Sequence, residues 1–390
     1  MNTHNIRGLE LFSGAGGLAL GIAKHGVRHE ALIELNKNAV KTLLYNFQPN
    51  IVHHTDIRNF DFTAYGHVDI IASGPPCQPF SIGGKHKGSV DQRDMFPSAC
   101  KAIAQCMPSA FIFENVKGLL RKSFASYFEY IILRLTYPEV DIQQSESWED
   151  HLQRLKKVSI SKQFDGVKYN LLYRLVDAAD YGIPQRRERV IIVGIRDDLN
   201  IEWSFPRQTH SQEALLWSQF IKKDYWEKHE CVPPELSCYD SRTASAIKKI
   251  QKQPQLFAPM TKPWQTVRDQ LGSLPHPDKQ GSYHPEHIFR KGARVYPGHT
   301  GSFIDSPSKT IKAGGHGVPG GENMVRHADG SVRYYTTYEA KRLQTFPGQY
   351  SITGSWGESM RQIGNAVPVQ LASIIAGSLI KTIWGEQAPS

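Results

Sequence analysis

Within its first 120 residues the chain runs five times through one cadence: a short apolar run, then a glycine or an acidic residue, and in most cases a stretch of helical spacing. Gly8 to Phe12 leads into Ser13-Gly14-Ala15-Gly16-Gly17 and then Leu18 to His25, and His29 to Ile33 leads to Glu34 and then Asn36 to Asn46. Ile51 to His54 precedes Asp56, Val68 to Ala72 precedes a proline-bound loop, and Ala110 to Phe113 precedes Glu114-Asn115. Buried parallel strands joined by crossover helices write this pattern. The fold class it predicts is α/β, a doubly wound, mostly parallel sheet.

Helical spacing returns at Ser123 to Leu135, and two further strands are expected at Tyr169 to Val176 and Val190 to Ile195. The polar, charged stretch 138–166 between them reads as an exposed helical insertion. From about Arg196 the alternation breaks, and prolines, histidines, aromatics and basic residues follow to about Gly330. Regular spacing resumes at Thr337 to Gln344 and Pro368 to Trp384. The expected division is therefore a sheet domain of residues 1–195 plus 350–390 and a second, irregular domain of residues 196–349.

The proline-bound loop is Gly74-Pro75-Pro76-Cys77-Gln78-Pro79-Phe80-Ser81. Prolines fix their own φ and restrict the residue before them, so the loop holds its shape. Cys77 is thereby offered at the carboxyl end of a strand, where open α/β sheets bind ligands. That is the place for a nucleophile, although a small buried thiol in a turn fits the same residues.

Ser13-Gly14-Ala15-Gly16-Gly17 is a glycine-rich first turn between strand and helix, where missing side chains admit a ligand to the backbone. Glu34 follows about 20 residues on, placed to accept hydrogen bonds from ribose hydroxyls. Asp56, after the third strand, suits the exocyclic amine of an adenine. A tight turn with two solvated acids is the plainer alternative. Glu114 is expected at the same sheet edge as Cys77, one strand away, as an acid that can donate a proton; a carboxylate at a helix start is the alternative. In Gln185-Arg186-Arg187-Glu188-Arg189, strand alternation sets Arg187 and Arg189 on one face, suited to a phosphate, a carbonyl oxygen or a carboxylate unless they merely solvate an edge.

Forty-six Lys and Arg against 37 Asp and Glu give a formal charge of +9, which favours a polyanionic partner such as nucleic acid. The five cysteines, with no CxxC pair, argue against a disulfide framework and a zinc site, so no metal is expected. A reducing cytoplasm fits, the start shows no signal-peptide pattern, and no unbroken apolar run reaches the ~18 residues of a membrane helix.

Together these segments resemble the cytosine-C5 DNA methyltransferase family, in motif order across almost the whole chain. Glu10 to Gly17 is similar to its cofactor loop, which in most members opens with Asp rather than Glu. Gly74 to Ser81 resembles the nucleophile loop, Glu114-Asn115-Val116 the acid motif and Gln185 to Arg189 the basic motif. Arg333 to Glu339 with Arg342 to Pro347 resembles the penultimate motif, with Tyr335 in place of Leu, and Gly364-Asn365-Ala366-Val367-Pro368 the last.

The resemblance implies a fold that binds S-adenosyl-L-methionine, with Phe12 against the adenine, Gly14 and Gly16 in the loop, Glu34 on the ribose, Asp56 on the adenine amine, and Asn365 and Val367 completing the site. It implies Cys77 as nucleophile, Glu114 on the cytosine N3 edge and Arg189 on the O2 side. Gln78, Ser81 and Arg187 are implied to hold the strained DNA around a flipped base. The irregular module corresponds to the target-recognition domain, and Thr266 to Asp269 and Pro307 to Ile311 look like framing elements that confine the specificity loops mainly to about 275–305. The partner is double-stranded DNA, with a cognate restriction endonuclease acting on the same site without a stable complex. The enzyme is expected to be a cytoplasmic, nucleoid-associated monomer of bacterial type, with no membrane partner.

A tRNA cytosine methyltransferase of the same fold is the nearest rival. Such enzymes resemble Glu-Asn-Val-Lys-Gly-Phe-Glu where this chain has Glu114-Asn115-Val116-Lys117-Gly118-Leu119-Leu120. A DNA-binding homologue without activity leaves Cys77, Glu114 and Arg189 unexplained. So does a nicotinamide oxidoreductase.

Overall fold

The apolar runs become β1 (Ile6–Leu11), β2 (Val27–Glu34), β3 (Val52–His54), β4 (Ile70–Ser73), β5 (Ala110–Val116), β6 (Tyr169–Asp177) and β7 (Glu188–Arg196). In the computed structural model, which describes residues 5–76, 95–161, 164–254, 259–279, 283–313 and 323–385, they form one sheet in the order β3-β2-β1-β4-β5-β7-β6. β1 pairs in parallel with β2 and with β4, β2 with β3, and β4 with β5. β7 lies antiparallel beside β5. The order reverses between β1 and β4, so the crevice that such a reversal opens lies beyond the carboxyl ends of those two strands.

Among the described residues the helices that accompany the sheet include α1 (Gly17–Ala23), α2 (Lys37–Asn46), α3 (Phe96–Cys106), α4 (Ala125–Thr136) and α5 (Trp148–Ser161). Asn36 caps α2, its side-chain oxygen accepting from the Asn38 and Ala39 amides at 2.9 and 3.1 Å. Leu9, Leu11, Ile71, Phe111 and Phe113 gather with Ala99 and Ile103 of α3 and Ile131 of α4 in the main core. Ala19, Leu32 and Leu43 form a smaller cluster with α1 and α2. Each such Leu, Ile or Phe contributes about 1.5–3 kcal/mol by leaving water, and burial on both faces explains why the strands read as unbroken apolar runs. Phe111 lies opposite Gly194 of β7, where an added Cβ would sit 2.2 Å from the ring. The aromatic ring fills the space that a side chain at 194 would need.

The insertion is less exposed than its composition suggests. α5 buries His151, Leu152 and Leu155, and His151 is satisfied by the Tyr130 hydroxyl at 3.0 Å and by the Val140 carbonyl at 2.9 Å. The apolar stripe is short and partly carried by a histidine, which hid it among the charges.

The chain divides into two compact units, one of residues 1–176, 188–206 and 372–390, the other of residues 177–187 and 207–371. Residues 177–187 and 350–371 thus fall with the second unit. That unit is built of short pieces: a three-stranded sheet of Ser302–Phe303, Met324–Arg326 and Val332–Tyr334, and helices that include Gln212–Trp217, Ser241–Lys252, Thr337–Leu343 and Trp356–Asn365. Leu215, Tyr225, Trp226 and Trp264 form one of its cores. Tyr225 donates to Asp305 at 2.9 Å, and Arg268 pairs with the same buried carboxylate. The stretch Trp356–Trp384 is long and apolar enough to cross a membrane by length and composition, yet 67% of its window is buried inside the protein, where Leu371, Ile375 and Leu379 are core residues.

Candidate active site

The glycine turn begins where β1 ends. Phe12, Gly14 and Gly16 take φ of 58°, 52° and 78°, and the non-glycine Phe12 bears about 1–2 kcal/mol of strain for it. Ser13 holds the turn in place: its amide donates to the Ile33 carbonyl at 3.0 Å, its hydroxyl to the Glu10 carbonyl at 3.1 Å, and its carbonyl accepts from the Gly16 amide at 2.8 Å. Phe12 is half-buried, partly packed on the main core.

Glu34, the last residue of β2, reaches over the turn. One carboxylate oxygen accepts from the Gly14 amide at 2.8 Å and the other from the Asn36 amide at 2.6 Å. A Cβ on Gly14 would meet nothing within 4 Å, so the backbone faces open space. Leu35, next in the chain, is 61% exposed. A carboxylate, bare backbone and an apolar flank fit a nucleoside-bearing cofactor, and Leu35 adds an apolar surface that the sequence reading passed over. Asp56 caps a short turn, accepting from the Arg58 amide at 2.9 Å and pairing with its guanidinium at 2.5 Å. Hydrogen bonds from Arg58 hold its carboxyl below the ordinary carboxylate range.

Glu10 lies one strand in from Glu34, opposite Leu32 and Ala72. It is 2% exposed, and one of its oxygens has no hydrogen-bond partner among the described residues. Burial, with repulsion from Glu34 added, pushes its carboxyl well above the ordinary range. An unfolded glutamate loses its proton above about pH 4.3, whereas the folded one keeps it, so stability falls as pH rises from there toward the folded value. Glu10→Gln is expected to resist urea better than the parent at pH 8, the gap closing toward pH 4. Equal or lower stability of the variant at pH 8 overturns this account.

The acid sits inside β5 rather than just after it. Glu114 is 8% exposed, and Arg189 of β7 meets it diagonally across the strand pair, Nε to Oε1 at 2.6 Å. Both side chains are about nine-tenths buried, at 12% and 10% exposure. The other carboxylate oxygen lies 3.6 Å from where a Cβ on Gly74 would stand, and Asn115 donates to the Pro75 carbonyl at 3.2 Å. The acid motif therefore grips the root of the loop that carries Cys77, a contact no sequence spacing announced. Cys77, Gln78 and Ser81 themselves lie outside the described residues.

The basic motif divides its labour. Arg189 serves the sheet, while Arg186 and Arg187 belong to the second unit. Arg187 is 1% exposed and donates to the Ile311 and Gly364 carbonyls at 3.3 and 2.8 Å. Its guanidinium holds two segments of its own unit together and does not share a strand face with Arg189, because it precedes β7. The Gln185 side-chain oxygen accepts from the Ile311 amide at 3.0 Å. Asn365 is exposed and Val367 buried, in a segment that Gln344 fastens through the Ile363 and Ala366 carbonyls at 2.7 and 3.3 Å. Gly364 has to be glycine, since its Cβ would lie 2.5 Å from the Ala313 amide.

Comparison with known proteins adds an independent line. Residues 6–137 and 149–381 match the family described as C-5 cytosine-specific DNA methylase. The chain is 31% identical over 382 residues to type II methyltransferase M.PspPI of Psychrobacter sp. (strain TA137), covering 96% of this chain and 79% of that protein. It is 31% identical over 377 residues to type II methyltransferase M.Eco47II of Escherichia coli, covering 95% and 78%. Among solved structures, the S. pombe Dnmt2 methyltransferase shares the fold with a TM-score of 0.56 at 17% identity, covering 96% of this chain and 98% of that one.

Proposed function

The chain belongs to the C-5 cytosine-specific DNA methylase family, the DNA cytosine-5-methyltransferases, and from that premise we propose that it methylates C5 of a cytosine flipped out of a short specific sequence in double-stranded DNA, through a covalent Cys77–C6 adduct. The observation that carries this reading is the buried Glu114–Arg189 pair set against Gly74, at the root of the Cys77 loop.

Cytosine C5 is a poor nucleophile, and a thiolate adding at C6 pushes electrons toward it. Cys77 forms the S–C6 bond while Glu114 keeps N3 protonated, so the ring electrons are held as an enamine. Arg189, beside the carboxylate, orients it and stabilises charge on the O2 side. S-adenosyl-L-methionine, when bound, supplies an electrophilic sulfonium methyl. C5 would take that methyl as the methyl–sulfur bond pair stays with the departing thioether, S-adenosylhomocysteine; the C5 proton then leaves to water or a base, and the electron pair of the C5–H bond expels Cys77 as thiolate. A stacked base cannot reach a thiol held in a loop, so the cytosine swings out, at a cost of a few kcal/mol (roughly). Gln78 and Ser81 are assigned to the DNA around it, and Arg187 acts indirectly, by holding the Gly364 segment.

Phe12, Gly14, Gly16, Glu34 and Asp56 are assigned to the cofactor, with Leu35 flanking the adenine side; Asn365 and Val367 carry the same assignment on their motif alone. The second unit is assigned to target recognition. The type II designation of the relatives supports pairing with a restriction endonuclease that acts on the same site, and the enzyme is read as a cytoplasmic monomer.

Glu34→Gln weakens an acceptor shared by the Gly14 amide and a ribose. Cofactor affinity is expected to fall about tenfold, or 1.4 kcal/mol, in a calorimetric titration; unchanged affinity removes Glu34 from the site. The reading as a whole is tested by transfer of labelled methyl from S-adenosyl-L-methionine to unmethylated duplex DNA, with tRNA alongside and base-resolution mapping of the product. Methylation at C5 within one short DNA motif supports it. Transfer to tRNA alone overturns it.

A further inference from the structure

In the second unit, the segment 288–300 combines two kinds of side chain that exposed loops seldom hold together. Ile288, Val295 and Tyr296 are 57%, 49% and 50% exposed. Arg290, Lys291 and Arg294 stand among them, and no acidic residue occurs from His287 to Ile304. Both ends are fixed. His287 donates from Nε2 to the Pro275 carbonyl at 2.9 Å and meets the Thr336 hydroxyl through Nδ1 at 3.0 Å. At the other end, strand Ser302–Phe303 pairs with Met324–Arg326, and the Lys309 amide donates to the Ser302 hydroxyl at 3.0 Å.

Between these anchors the chain closes on itself. The Tyr296 amide donates to the His299 carbonyl at 3.1 Å and the His299 amide returns to the Tyr296 carbonyl at 2.8 Å. Pro297 and Gly298, the latter at φ 80°, occupy the central positions of a type II turn. The turn is thus set by its own backbone, which lowers the ordering cost of binding. Arg290 lines a recess of about 120 Å³ with Glu286, Ile288, Ile352 and Trp356, so it has protein surface and a carboxylate within its own unit. Among the described residues no ion pair holds Lys291 or Arg294. Cations without acids call for a polyanion, and the apolar side chains beside them call for one that also offers apolar groups and hydrogen-bonding edges. Duplex DNA offers phosphates outside and base edges with thymine methyls in its major groove.

We propose that residues 288–300 form an arm that enters a groove of duplex DNA, Arg294 and Tyr296 meeting base edges and Lys291 a backbone phosphate. The assignment rests on the reading of the chain as a DNA methyltransferase and names residues within its target-recognition unit. The test uses the full-length enzyme and its mapped DNA site, with every single-base variant of that site, at several salt concentrations. Arg294→Ala and Tyr296→Ala are expected to lower kcat/KM on the best site about 10–100-fold and to relax preference at a base pair. Lys291→Ala lowers kcat/KM evenly across sequences and reduces the salt slope by about one. Melting temperature and cofactor affinity stay unchanged, which separates DNA contact from damage to the fold. If the parent methylates its site and all three variants stay within twofold of it on every sequence, the arm does not read DNA. If the parent methylates no duplex at all, the methyltransferase reading fails and the arm assignment with it.

Discussion

Cys77→Ala is expected to lower methyl transfer to DNA by about 10⁴-fold or more while leaving cofactor affinity within about twofold. The expected loss is large because the thiol makes a bond that no neighbour can replace. Without addition at C6 the ring offers C5 no electron density, and orienting or charged groups cannot supply a missing electron pair. Alanine is small and fits a proline-framed loop, so folding should be spared. Pre-steady-state methyl transfer on a 5-fluorocytosine-containing duplex gives a second readout: the parent forms a stable protein–DNA adduct, because fluorine cannot leave as a proton does, and the variant forms none. Adduct formation by Cys77→Ala would remove this residue from the mechanism.

The second large effect concerns the pair at the sheet edge. Arg189→Ala leaves the Glu114 carboxylate buried without its counter-charge, and breaking such a pair costs about 3–5 kcal/mol. Glu114→Gln removes the acid but keeps the shape, so its main effect falls on catalysis, with kcat lower by about 10²–10⁴-fold. Combining the two changes the sign of the first. With no carboxylate left to orphan, the double variant should recover much of the stability lost in Arg189→Ala and none of the activity. Urea unfolding and single-turnover methyl transfer on all four proteins separate the two quantities. If Arg189→Ala unfolds like the parent, the pair is not coupled as its geometry implies.

How far the sequence reaches differs from element to element. The parallel part of the sheet was legible because a strand buried on both faces must be apolar throughout, and the loops after β1, β2 and β4 carry the glycines, acids and prolines that mark their ends. The direction of β7 was not, since Val190 to Val193 reads the same whichever way it runs. A spacing of about 20 residues from the glycine turn marked Glu34 as an acceptor for ribose hydroxyls; that its carboxylate also accepts from the Gly14 amide at 2.8 Å was not legible, because no spacing encodes a bond to backbone. Arg187 was placed on a face with Arg189 by strand alternation, a rule that holds only inside a strand. Its partners at Ile311 and Gly364 are 124 and 177 residues away, beyond any local pattern. The same holds for Asn115 and Pro75, and for α5, whose stripe of His151, Leu152 and Leu155 is too short to rise above the charges around it.

The sheet unit is assembled from three separate stretches of chain, and the last of them begins at residue 372. Ile375, Leu379 and Ile380 of that stretch lie near the end of the described residues, yet they are core. Synthesis therefore cannot yield a finished sheet unit early: the glycine turn, Glu114 and Arg189 all leave the ribosome long before the stretch that completes their unit, whose Ser373 hydroxyl meets His25 at 2.9 Å. A message cut short before that point gives no partial modifier of DNA, only an unfinished chain for proteolysis. The dose of this activity is therefore counted in complete chains alone.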